Sequence, residues 1–144
     1  MKKMKDELET RAMNTMISIP SHKSCFACGR ENESGLNLEF SFDDRKAHCA
    51  IKLDRRFQSY PGIVHGGILA SIADSAMVNL AHRLFGGEPK TCRLDLRIKK
   101  SIIIDNEIRV EAELSFVKNN FIWALCTISD STRECVVAKG ILKI

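Results

Sequence analysis

No apolar run in this chain approaches the ~18 residues of a membrane span, so a helical membrane protein is excluded. The opening Met1-Lys2-Lys3-Met4-Lys5-Asp6-Glu7 turns acidic before any apolar stretch forms, unlike a secretory signal. Charge of one sign is not in excess either. Lys and Arg number 22, Asp and Glu 18, leaving +4 and a pI near 8.8. A nucleic-acid binder usually exceeds a pI of about 9, with its cations gathered on one face. Nucleic acid and membrane are therefore not expected partners. The HExxH, GxSxG, P-loop and GxGxxG patterns are all missing, which removes the common zinc-protease, serine-hydrolase and nucleotide-binding readings. No repeat, low-complexity tract or linker interrupts the chain. Large apolar residues are not scarce: 44% of residues are apolar and 28% charged, which excludes a disordered chain.

What remains is an ordinary globular composition over 144 residues, the size of one domain with one core. Six cysteines stand at 25, 28, 49, 92, 126 and 135. An even count raises a disulfide framework. A domain this size does not need bridges, and no signal sequence is evident. The expectation is a cytoplasmic protein with reduced thiols.

Leu8, Met13, Met16 and Ile17 among charges predict a short amphipathic helix within residues 1–19, closed by Pro20. Residues 1–23 are read as an N-terminal extension and 24–144 as the domain. Leu36, Leu38, Phe40 and Phe42 alternate with polar residues, as do Ala47, Cys49, Ile51 and Leu53. The charged turn Asp43-Asp44-Arg45-Lys46 between them predicts a hairpin. From Ile68 to Phe85, Leu69, Ile72, Ala73, Ala76, Leu80 and Leu84 keep helical spacing up to Gly86-Gly87. Most other positions there are small or apolar, so the helix is buried on most sides. Four strands follow, split by turns at Asp105-Asn106, Asn119-Asn120 and 130–133, with Ile108, Val110, Ala112, Leu114 and Phe116 on one face of the second. The prediction is an α+β fold: a curved antiparallel sheet of about six strands wrapped around one long central helix. Its open edge invites pairing with a second copy.

The chemistry gathers between Tyr60 and Asp74. His65-Gly66-Gly67 opens the helix, where unpaired N–H groups and the positive dipole end suit an anion or oxyanion. The plainer reading is a packing glycine pair, with His65 holding the loop. Asp74 follows Gly67 by seven residues, nearly two turns, on the same helix side and ~10 Å along the axis. Ala70, Val78 and Ala81 flank it, so a buried acid suited to general-base work is expected. The structural alternative pairs Asp74 with Arg93 or Arg97. Cys25-x-x-Cys28-Gly29 is half a zinc knuckle, which only His48 and Cys49 or a second subunit could complete. A plain structural turn is favoured and no metal is expected. His22, His48 and His82 show no metal-ligand spacing.

Tyr60-Pro61-Gly62-Ile63-Val64-His65-Gly66-Gly67, followed by Asp74, resembles the hotdog-fold acyl-CoA thioesterases of the phenylacetate-degradation and thioesterase-superfamily-member branch. Cys25-Phe26-Ala27-Cys28-Gly29, Asn32 and Gly35-Leu36 are similar to the opening of one subgroup. The resemblance covers roughly residues 24–143. It implies a hotdog fold, a homodimer or dimer of dimers, and active sites between subunits. It implies that Gly67, with His65 and Gly66 shaping the loop, polarises the thioester carbonyl, and that Asp74 of the other chain is base or nucleophile. Gln58 or Ser59 would position water or substrate, as would Thr91. Arg93, Arg97 and Lys99 share a strand face and could meet CoA phosphates. The expected activity is hydrolysis of a small aryl- or medium-chain acyl-CoA to free acid and CoA, with no cofactor beyond the CoA of the substrate. A hotdog dehydratase would need a histidine base before the Pro-Gly turn, and residues 54–59 hold none. The competing reading from another class is a noncatalytic acyl-CoA-binding module or regulator.

Overall fold

The computed structural model of the protein describes residues 19–144. The expected N-terminal helix lies outside the described residues, apart from Ile19, which is buried in the core. A 3₁₀ turn, Pro20–His22, leads into a loop. Strands β1 (Ser41–Asp43) and β2 (Lys46–Lys52) form the expected hairpin. Residues 36–40 do not join the ladder as expected. Leu36 and Leu38 instead donate their N–H groups to the Phe26 and Ala27 carbonyls, while Leu36, Leu38, Phe40 and Phe42 all bury their side chains. The alternation thus reports burial correctly, but the backbone partners come from a loop.

Helix α1 spans Gly66–Phe85. It ends at Gly86, whose φ of 72° is the left-handed conformation that glycine adopts without a Cβ penalty. Strands β3 (Lys90–Ile98), β4 (Glu107–Lys118), β5 (Phe121–Ser129) and β6 (Glu134–Lys143) complete one antiparallel sheet ordered β1-β2-β4-β5-β6-β3. The sheet curves around α1, and the inward residues of β2, β4, β5 and β6 close the core on Ile72, Ala73, Ala76 and Leu80. Gly140 of β6 makes room for the helix: a Cβ there would stand 2.8 Å from the Met77 sulfur. No helix among the described residues is long and apolar enough to cross a membrane.

Of three register shifts in the sheet, two reset the alternation the sequence predicts. In β4 the register shifts between Leu114 and Phe116, so Phe116 pairs with Trp123 rather than following Leu114 inward. Phe116 was expected on the core face. It lies on the outer face and stacks on Trp123 with ring centroids 4.5 Å apart. In β3 the shift falls between Thr91 and Arg93, with Cys92 as the extra residue.

Candidate active site

The loop before α1 is held by its own backbone. His65 donates its N–H to the Phe57 carbonyl, and Gln58 bridges Val64. Gln58 accepts the Gly62 N–H at 3.2 Å, and Ser59 donates its hydroxyl to the Ile63 carbonyl at 3.4 Å. Both side chains therefore brace the turn that delivers His65.

His65 caps the helix. Its Nδ1 accepts the Gly67 N–H at 2.8 Å. An imidazole nitrogen that accepts must be unprotonated, so the neutral ring carries its proton on Nε2, facing outward from the cap. This changes the expected oxyanion donor. The Gly67 N–H is occupied here, whereas the Gly66 N–H has no partner among the described residues. Both glycines are sterically tight. A Cβ on Gly67 would lie 3.0 Å from His65 Nδ1, and one on Gly66 would lie 3.3 Å from Ile98 Cδ1.

Asp74 departs from expectation in burial and in partner. It is half-buried, not enclosed, because the helix strip of Gly67, Ala70, Ser71 and Asp74 is not fully covered by the chain's own sheet. Neither Arg93 nor Arg97 pairs with it. Arg93 binds Asp95 at 2.9 Å, and no Lys or Arg among the described residues reaches Asp74. Its partner is Thr91, whose hydroxyl donates to Asp74 Oδ1 at 2.5 Å.

The β3 bulge makes that bond possible. Residues directly opposite in an antiparallel pair point to the same face. Thr91 pairs with inward Leu142, Arg93 with Ile141 and Leu94 with inward Gly140. Strict alternation would put Thr91 beside Arg93 on the outer face. The extra residue Cys92 turns Thr91 inward, under the helix. Arg93 and Arg97 stay outside, so Thr91 and the two arginines do not share one surface of this chain. Leu69 and Met77 of the same helix are wholly in the core.

No protein-family model matches the chain. It is similar to acyl-coenzyme A thioesterase THEM4 of Rattus norvegicus, 28% identical over 109 residues, covering 73% of this chain and 46% of that protein. The chain spans less than half the length of the curated relatives it matches. Among solved structures, a thioesterase superfamily protein superposes with a TM-score of 0.77 at 20% identity, over 99% of this chain and 74% of that one. The fold is a hotdog. A second hotdog structure, a hypothetical thioesterase from Streptococcus pneumoniae with coenzyme A, superposes with a TM-score of 0.68 at 18% identity, over 74% of this chain and 87% of that one. In this hotdog chain, then, the helix cap and the Asp74–Thr91 pair are two separate polar points on one helix side.

A third polar group joins the half zinc knuckle to a histidine the sequence reading passed over. His22, Cys25 and Cys28 place one ligand atom each within 4.8 Å of one another. His48, one of the residues that could have completed the cysteine pair, binds Asp43 at 2.7 Å. The signal was in the chain as His-x-x-Cys-x-x-Cys, but only the folded loop shows that the imidazole turns toward the thiols.

Proposed function

We propose that the protein is an acyl-CoA thioesterase acting on small aryl- or medium-chain acyl-CoA, with sites formed between two copies. The observation that carries this reading is the Asp74–Thr91 pair on a helix strip the chain leaves open. The cap and Asp74 are ~10 Å apart along one helix, too far to act on one carbon. Two copies joined at the free edge of β3 would bring the cap of one to the acid of the other. That edge is nine residues long, whereas the opposite edge, β1, has three.

In this mechanism Asp74 takes a proton from water as the water oxygen attacks the thioester carbon. The carbonyl oxygen becomes an oxyanion at the helix N-terminus. It meets the free Gly66 N–H and displaces His65 Nδ1 from the Gly67 N–H, exchanging one acceptor for another. Collapse breaks the C–S bond, and CoA leaves as a thiolate that needs no strong acid. Thr91 holds the carboxylate. Arg97, with no acid in salt-bridge reach among the described residues, is the better candidate for a CoA phosphate, since Arg93 already pairs with Asp95. Ala70, Val78 and Ala81 are modest in size, which suits an aryl or medium acyl group.

The test is thiol release from phenylacetyl-, benzoyl-, hexanoyl- and palmitoyl-CoA, with Asp74→Ala beside the wild type. Turnover lost in the variant supports the reading. Binding of acyl-CoA without wild-type turnover would replace it with a noncatalytic module. Label in Asp74 after a single turnover in ¹⁸O-water would mark it as nucleophile, because it requires water to attack the aspartyl carbon of an anhydride, which a general base never forms.

A further inference from the structure

Outside the helix strip, the loop of residues 22–35 is built around two thiols. Cys25 donates its N–H to the His22 carbonyl at 3.0 Å, and Gly29 donates to the Cys25 carbonyl at 2.9 Å. The turn is too tight for a side chain at residue 29: a Cβ there would lie 2.3 Å from the Cys25 nitrogen. Asn32 closes the loop by donating to the Ser24 carbonyl at 3.1 Å. The result brings His22 Nδ1 to 3.4 Å from Cys28 Sγ, with Cys25 in the same cluster and all cysteines reduced.

We propose that His22, Cys25 and Cys28 bind one zinc ion, with water in the fourth position. Two thiolates and an imidazole are a zinc donor set. Tetrahedral zinc with bonds of about 2.3 Å to sulfur holds two thiolates roughly 3.8 Å apart. The ligand atoms already lie within 4.8 Å of one another, so only a small inward adjustment is needed. Among the described residues no fourth Cys, His, Asp or Glu joins the group.

A disulfide between Cys25 and Cys28 would leave the imidazole without a role, yet the fold turns His22 Nδ1 to 3.4 Å from Cys28 Sγ. The ion would fasten His22 to the Cys25–Cys28 turn. This inference does not depend on the thioesterase reading.

The experiment measures metal content of the full chain after dialysis, then titrates the metal-free protein with zinc and with cobalt(II). Expected are one zinc per chain, a thiolate-to-cobalt charge-transfer band, and visible bands of tetrahedral strength. X-ray absorption on the wild type should count two sulfurs, which needs no variant to fold. Cys28→Ser and His22→Gln should each weaken zinc by more than about 100-fold. Cys92→Ser should change nothing. Zinc well below one per chain without thiolate bands, a Cys25–Cys28 disulfide by thiol count, or unchanged affinity in His22→Gln would each overturn the proposal.

Discussion

Asp74 and Ser75 are neighbours in sequence, about 100° apart around helix α1. Ser75, with Asn79 one turn on, faces inward and finds its partners within its own chain. Asp74 faces the open strip and has one short bond, from Thr91. A carboxylate has about four acceptor positions, so most of Asp74's capacity remains for something outside the chain. One helix thus carries a polar face completed by folding and another that folding leaves open. A buried polar group that folding leaves unsatisfied destabilises the fold, so polar residues on an otherwise apolar helix divide by whether folding satisfies them.

Substitution should separate the two faces. Asp74→Asn keeps the shape and one acceptor but removes the charge. It should lower kcat by roughly 10³-fold, within the range for loss of a general base. Thermal unfolding should move little. Full turnover in this variant would assign Asp74 to structure and erase the contrast. Asn79→Leu addresses the other face. It removes the donor to the buried Ser75 carbonyl and hydroxyl, at a cost of about 2 kcal/mol or roughly 6 °C in Tm. An unchanged Tm would show that the inner face is not completed in the way described.

The sequence carried much of this, for identifiable reasons. Helix α1 was legible because its apolar spacing runs unbroken to a glycine pair, and the sheet because each strand alternates between turn residues. The β-bulges were not legible. Alternation assumes one residue per step, and nothing in Thr91-Cys92-Arg93 announces an extra one. Phe116 was therefore grouped with the core, and strict alternation would set Thr91 beside Arg93, although the ladder turns both over. Asp74 was assigned a fuller burial than it has, because its helical neighbours are small and apolar while the sheet leaves that strip open. His22 was missed because loop geometry, not periodicity, aims it at Cys28.

A smaller effect tests the bulge. Thr91→Val keeps the β-branched shape and deletes the hydroxyl. Losing one positioning bond should lower kcat about 10-fold, or roughly 1.4 kcal/mol, and KM should hold. A loss seen in KM alone would instead place Thr91 against bound substrate.

The smallest effect sharpens the contrast with a second carboxylate. Asp130, in the β5–β6 turn, accepts the Thr132 N–H at 2.9 Å, the Thr132 hydroxyl at 2.8 Å and the Arg133 N–H at 3.0 Å. The backbone bond from Thr132, followed by its hydroxyl, draws the carboxyl from 3.8 down to about 2. The folded value lies below the unfolded one, so the stabilisation is fully present above pH 3.8 and is lost as pH falls toward about 2. Asp130→Asn should remove this part of the acid dependence, flattening stability across that interval while leaving thiol release at neutral pH unchanged. An equal acid slope in variant and wild type would show that the turn's hydrogen bonds do not favour the ionised form. Folding would then not have completed even this carboxylate, and satisfaction within the chain would no longer distinguish it from Asp74.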